Sequence, residues 1–88
     1  MAEYIDIKQE VAGILNKIEA CTGPLTLQQI ENIILQHKNM WMMQQVDIAN
    51  GGEFCEFMDN LILRVKQACG NGQLTKQQLV ELIKKMNW

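Results

Sequence analysis

The chain of 88 residues holds a single proline, a single histidine, few aromatics and no surplus of basic charge. It has no apolar run near the roughly 20 residues that span a bilayer, so a membrane span is excluded at the outset. Eight Lys and Arg stand against ten Asp and Glu, for a net charge of −2. A nucleic-acid binder carries a basic excess to displace phosphate counterions, and this chain has none. No charged segment followed by an apolar one opens the sequence in the manner of an export signal. The three cysteines, Cys21, Cys55 and Cys69, are an odd number and read as free thiols of a reducing compartment. The expected location is therefore the cytoplasm, or the host's cytoplasm for a viral or phage-encoded chain.

What is present is apolar periodicity. Apolar residues make up 48% of the chain and charged residues 20%, the balance of an ordinary globular domain, and the length admits one core. Ile7, Val11, Ile14, Ile18 and Cys21 recur at the spacing of a helical stripe, with Asp6, Gln9, Gly13, Asn16 and Lys17 on the other side. Asp6 with Gln9 reads as a capping box, and Thr22-Gly23-Pro24 ends the segment. A second stripe, Leu27, Ile30, Ile33, Ile34, His37 and Trp41, starts from a box of Thr26 with Gln29. Leu25 and Ile30 are placed as its hydrophobic staple. A third runs from about 53 to 69 with Phe54, Phe57, Met58, Leu61, Ile62, Val65 and Ala68 inward, capped by Asn50 with Glu53. The fourth carries Leu79, Leu82, Ile83 and Met86 behind a box of Thr75 with Gln78, stapled by Leu74 and Leu79. No alternating strand pattern competes. The expected fold is all-α, a single four-helix domain over 1–88 made of one helical hairpin at about 6–44 and a second at about 53–87.

The two hairpins share a text. ILNKIEACTGPLTLQQIENII, from Ile14, aligns with ILRVKQACGNGQLTKQQLVELI, from Ile62, with one extra residue in the second loop. Ile-Leu, Ala-Cys, a glycine, Leu-Thr and Gln-Gln recur in step, which reads as an internal duplication packed about a pseudo-twofold axis. Residues 67–78, QACGNGQLTKQQ, also resemble an EF-hand loop in outline, with Gly72 sixth, Leu74 eighth and Thr75 ninth. The resemblance implies a helix–loop–helix unit. Its ligand places one, three, five and twelve hold Gln67, Cys69, Asn71 and Gln78, without a carboxylate, so the reading is a calcium-free EF-hand-like scaffold at most.

Other chemistry is thinly supplied. Cys21, His37, Cys55 and Cys69 have the ligand types for zinc but no C-x2-C pair, so no metal is expected, and no cofactor. His37 lies on an apolar stripe and reads as a hydrogen-bonded core or boundary histidine. NGG and GNG are turn chemistry rather than phosphate loops, and no catalytic constellation emerges, so the chain is not read as an enzyme. TGPLTLQQIENII has the outline of a helix-turn-helix, with Gln28, Gln29, Asn32 and Gln36 suited to adenine edges. That nucleic-acid-binding alternative has only Lys38 to offer phosphates.

The remaining anomaly is NMWMMQQV. Four consecutive large apolar residues, Met40, Trp41, Met42 and Met43, sweep about 300° of a helix and cannot share one face. Methionine and tryptophan suit adaptable, anchored interfaces. The functional expectation is a small non-catalytic protein–protein interaction module, of adaptor, regulatory, inhibitor or immunity type. Its candidate partner-binding residues are Met40, Trp41, Met42, Met43 and Trp88. The partner is a protein of unknown identity, and a homodimer through the 40–43 cluster is the simplest case.

Overall fold

In the computed structural model, residues 2–70 and 72–86 are described. The order is α1 (Ile7–Ala20), β1 (Leu25–Thr26), α2 (Leu27–Met42), α3 (Gly51–Cys69), β2 (Gln73–Leu74) and α4 (Lys76–Lys85). The all-α four-helix expectation holds, and Trp88 lies outside the described residues. No helix among the described residues is long and apolar enough to cross a membrane.

Local signals explain each helix start. Both Thr-x-x-Gln boxes close completely. Thr26 Oγ1 accepts from Gln29 N–H at 3.2 Å while Gln29 Oε1 accepts from Thr26 N–H at 2.9 Å. Thr75 and Gln78 repeat the pair at 3.1 and 3.0 Å. Each box satisfies two otherwise orphaned donors, and losing such a cap costs about 1 kcal/mol. All four staple residues, Leu25, Ile30, Leu74 and Leu79, are buried. At α1 only half of the expected box forms: Asp6 Oδ1 accepts from Gln9 N–H at 3.2 Å.

Three local expectations need correcting. Helix α3 begins at Gly51, two residues earlier than expected, with Phe54 N–H donating to Asn50 O at 3.0 Å. Asn50 occupies the cap position, but its side chain makes no cap hydrogen bond because it is engaged elsewhere. Two short strands are also present, each of two residues, too brief to show alternation in the sequence. They pair antiparallel, Leu25 opposite Leu74 and Thr26 opposite Gln73, and join the loops of the two hairpins. Leu25 and Leu74 are equivalent places in the two aligned segments, so their pairing puts the loops in a twofold relation. Gly23 and Gly70, with φ of 76° and 54°, make the backbone turns that a β-carbon would strain.

The core lies between the hairpins. Val11, Ile14 and Ile18 of α1, Ile30 and Ile34 of α2, Phe54, Met58, Leu61 and Val65 of α3, and Leu79 and Ile83 of α4 are all fully buried. Each such side chain contributes about 1.5–3 kcal/mol through area removed from water. Ala68, expected inward, is exposed, and the buried position at that end of α3 is taken by Cys69. Burial pushes the Cys69 thiol pKa up.

The N-terminal segment closes the far side. Glu3 N–H donates to Asp47 O at 2.6 Å and Ala49 N–H donates to Glu3 O at 2.7 Å, a single parallel bridge to the connection between the hairpins. Just beyond it, Asn50 Oδ1 accepts from Ile5 N–H and Asn50 Nδ2 donates to Ile5 O, both at 2.8 Å. The amide side chain thus behaves as one more peptide unit of a strand, and it seats the fully buried Ile5.

Candidate functional site: the outer face of α2

Successive helical residues turn by about 100°, and that settles the MWMM anomaly. Trp41, seven residues after the buried Ile34, returns to the same side and packs against the core. Met43, nine residues after Ile34, points the opposite way and is 82% exposed. Met40 is 56% exposed. Met42 lies along the edge facing α3, where Cys55 Sγ–H donates to its Sδ at 3.3 Å. The sequence candidates therefore separate: Trp41 goes inward, Met42 sideways, and Met40 and Met43 outward.

A polar clasp joins the inner side of α2 to α1. Glu10 Oε1 accepts from Trp41 Nε1–H at 2.7 Å, and Oε2 pairs with His37 Nδ1 at 2.8 Å. With a carboxylate opposite, Nδ1–H donates to it, and the buried Nε2 has no hydrogen-bond partner among the described residues. The expectation of a hydrogen-bonded core histidine is thereby met. The ring fits because residue 13 is glycine. A β-carbon there would lie 2.9 Å from His37 Cε1, so Gly13 faces α2 and not the solvent side assigned to it from the pattern.

That contact has a measurable consequence. Glycine inside a helix is about 1 kcal/mol poorer than alanine, so Gly13→Ala at an open site stabilises. Here the added methyl meets a buried ring, and such overpacking costs about 1–3 kcal/mol. Gly13→Ala is expected to lower the stability of the wild-type fold in urea denaturation. The same change in a His37→Ala background is expected to raise it.

Charge completes the geometry. The two charged residues of α2 are both spent on α3: Lys38 Nζ meets Asp59 Oδ1 at 2.9 Å, and Glu31 Oε1 meets Lys66 Nζ at 3.5 Å. Exposed pairs of this kind stabilise by at most about 1 kcal/mol. They leave the opposite face without a charge. A shallow groove runs along it, lined by Asn32, Leu35, Gln36, Asn39, Met40 and Met43. Leu35, 36% exposed, is a member the sequence reading missed. Its signal was present, because Ile33, Ile34 and Leu35 are consecutive and cannot all face the core.

The other readings find less. Gln29 is consumed in its capping box and Lys38 in its ion pair, so the helix-turn-helix alternative has no cation on this face to meet a phosphate. Places one and three of the EF-hand outline, Gln67 and Cys69, lie inside α3, Gln78 is in a capping box, and Asn71 lies outside the described residues. Cys21 Sγ–H donates to Lys17 O at 3.3 Å at the end of α1. No group of three or more His, Cys, Asp or Glu among the described residues is placed to hold a metal ion. Comparison with protein-family models, with curated proteins and with solved structures returns no match in any of the three.

Proposed function

We propose that this protein is a non-catalytic protein-interaction module that binds through the outer face of α2, with Met40, Met43 and Leu35 as its apolar contacts. The observation that carries the reading is a contiguous, uncharged, partly apolar surface on a helix whose opposite side is hydrogen-bonded to α1. Single exposed apolar residues are commonplace on any surface, whereas neighbouring ones on a face depleted of charge mark a contact site. Trp41 serves here as a positioning residue and Met42 as a border with α3. Adaptor, regulatory subunit, inhibitor and immunity protein are all jobs such a face performs.

The test is the double variant Met40→Lys with Met43→Lys. Both side chains project into solvent, so the far-ultraviolet dichroism is expected to be unchanged and stability to move by about 0.5 kcal/mol or less. Binding to protein partners captured from the native host, read by affinity pull-down and mass spectrometry, is expected to be lost. Retained binding, or unfolding of the variant, overturns the assignment of this face.

A further inference from the structure

We propose that the groove along α3 beyond the end of α4 docks a helix of a protein partner, acidic in its first turn and basic in its last, running antiparallel to α3. This is a second contact surface, separate from the face on α2. The first hairpin shows what covers such a groove. By burial, Val11, Ile14 and Ile18 of α1 answer Met58, Leu61 and Val65 of α3, one place off the shared text, while Ile30 and Ile34 of α2 answer Leu79 and Ile83 of α4. In that register Glu10, Gly13 and His37 answer Phe57, Asn60 and Met86. The place is filled in the first hairpin, because α2 runs for 16 residues along an α1 of 14 and lays His37 on Gly13 and Trp41 on Glu10. In the second, α4 has 10 residues against 19 in α3. About nine residues of α3, roughly 13 Å of helix, therefore run on without the cover that α2 gives α1.

The surface there is concave. Two recesses, of about 450 and 540 Å³, meet at Arg64 and Lys85, and together they have room for several side chains of a second helix. Phe57 and Met86, partly buried against the core, and Leu63, 52% exposed, supply apolar lining to the recess at the end of α4. Charge then says which helix fits. Arg64 and Lys85 have no carboxylate partner among the described residues, and Glu81 borders only the recess nearer the hairpin turn. At the opposite end of α3, Glu53 and Glu56 are exposed and equally without an ion pair among the described residues. A helix that continues the direction of α4 starts beside the two cations and ends beside the two carboxylates. Acidic groups in its first turn and basic groups in its last match both ends of the groove, and they also suit its own dipole. A partner of uniform charge leaves one end facing its like.

The experiment titrates the isotope-labelled full chain with two synthetic peptides of about 14 residues, stapled so that both are equally helical. They share one leucine stripe; one has glutamates in the first turn and lysines in the last, the other the reverse. The acid-first peptide is expected to bind with a dissociation constant of about 100 μM, the range of a small reversible contact, and to shift the amides of Phe57, Asn60, Arg64 and Lys85. The lysine-first peptide is expected to bind about tenfold or more weakly, and salt raised from about 0.05 to 0.5 M to narrow the difference. Arg64 and Lys85 are exposed, so Arg64→Glu with Lys85→Glu is expected to keep the wild-type circular dichroism and lose the acid-first peptide about tenfold. Met40→Lys with Met43→Lys is expected to leave peptide binding unchanged, so the groove and the α2 face stand or fall separately. No binding up to about 1 mM, equal binding of the two charge orders, or shifts confined to the outer face of α2 overturns the proposal. Phosphatidylserine vesicles held more tightly than the acid-first peptide, and lost in the same Arg64 and Lys85 variant, assign the two cations to a phosphate surface and also overturn it.

Discussion

Asn50→Ala is expected to destabilise the fold by about 2–5 kcal/mol, a large share of the roughly 5–15 kcal/mol available to a domain of this size. The reason is accounting of buried polar groups. The Asn50 amide is 6% exposed and holds both the N–H and the C=O of Ile5, each at 2.8 Å. Alanine strands both, and a buried unpartnered backbone group costs about 1–3 kcal/mol. The measurement is thermal melting, where about 1 kcal/mol moves the midpoint by roughly 4–8 °C in a chain this short. Two further variants separate bridging from capping. Asn50→Ser keeps a good N-cap residue but is too short to span the two Ile5 groups, so it is expected to fall with alanine. Asn50→Asp retains an acceptor for Ile5 N–H but has nothing to donate to Ile5 O and buries a charge, so it is not expected to rescue. If serine preserves the wild-type midpoint, Asn50 acts as a cap and the bridge to Ile5 contributes little.

The same residue shows where sequence reading stops. Asn50 followed by Glu53 carries the local signature of a helix start, and the helix does start there, but the side chain is committed to a residue 45 positions away. Nothing in local spacing encodes that partner. The capping boxes at Thr26 and Thr75 were legible because donor and acceptor lie three residues apart, within one turn. The core stripes were legible for a similar reason, since the helical period places Ile14 with Ile18 and Leu61 with Val65 before any tertiary contact is known. The β1–β2 pairing has two residues per strand, a single cycle of alternation and too few to show a pattern. Gly13 misled because glycine has no hydropathy to register, so its place opposite His37 had no signal in the pattern.

The candidate site was half visible. Residues 40–43 stood out because no single helix face accommodates them, yet the sequence could not say which members turn outward. Rotation of α2 decides that, and besides the buried Ile30 and Ile34 its inner side meets Glu10 and Gly13 of α1 through His37 and Trp41. Polar contacts over 27 and 31 residues of chain separation leave no periodic trace. The residues that present the face are therefore different from those that form it. Methionine at 40 and 43 marks the surface, while an acid on α1 holds the opposite side of the helix.

Glu10→Ala is the variant that tests this hold, and it is expected to cost about 2–4 kcal/mol, because it removes the common acceptor of two part-buried donors. Trp41 Nε1–H and His37 Nδ1 then face a methyl group, and the buried Nε2 has no partner among the described residues to compensate. Glu10→Gln is expected to lose less, about 1–2 kcal/mol, since one amide oxygen still accepts from the indole while the amide nitrogen turns toward the ring. Trp41→Phe removes only the indole N–H and lets water reach the freed carboxylate oxygen, Glu10 being 18% exposed at its side chain. The double-mutant cycle between Glu10→Ala and Trp41→Phe is expected to show coupling of about 0.5–3 kcal/mol, the range for residues in one hydrogen-bond network. A second readout follows α2 itself. If the clasp sets its rotation, Glu10→Ala weakens partner binding through Met40 and Met43 without altering any residue of that face. Should Glu10→Ala leave stability within about 0.5 kcal/mol and partner binding unchanged, the apolar stripe alone orients α2 and the clasp does not.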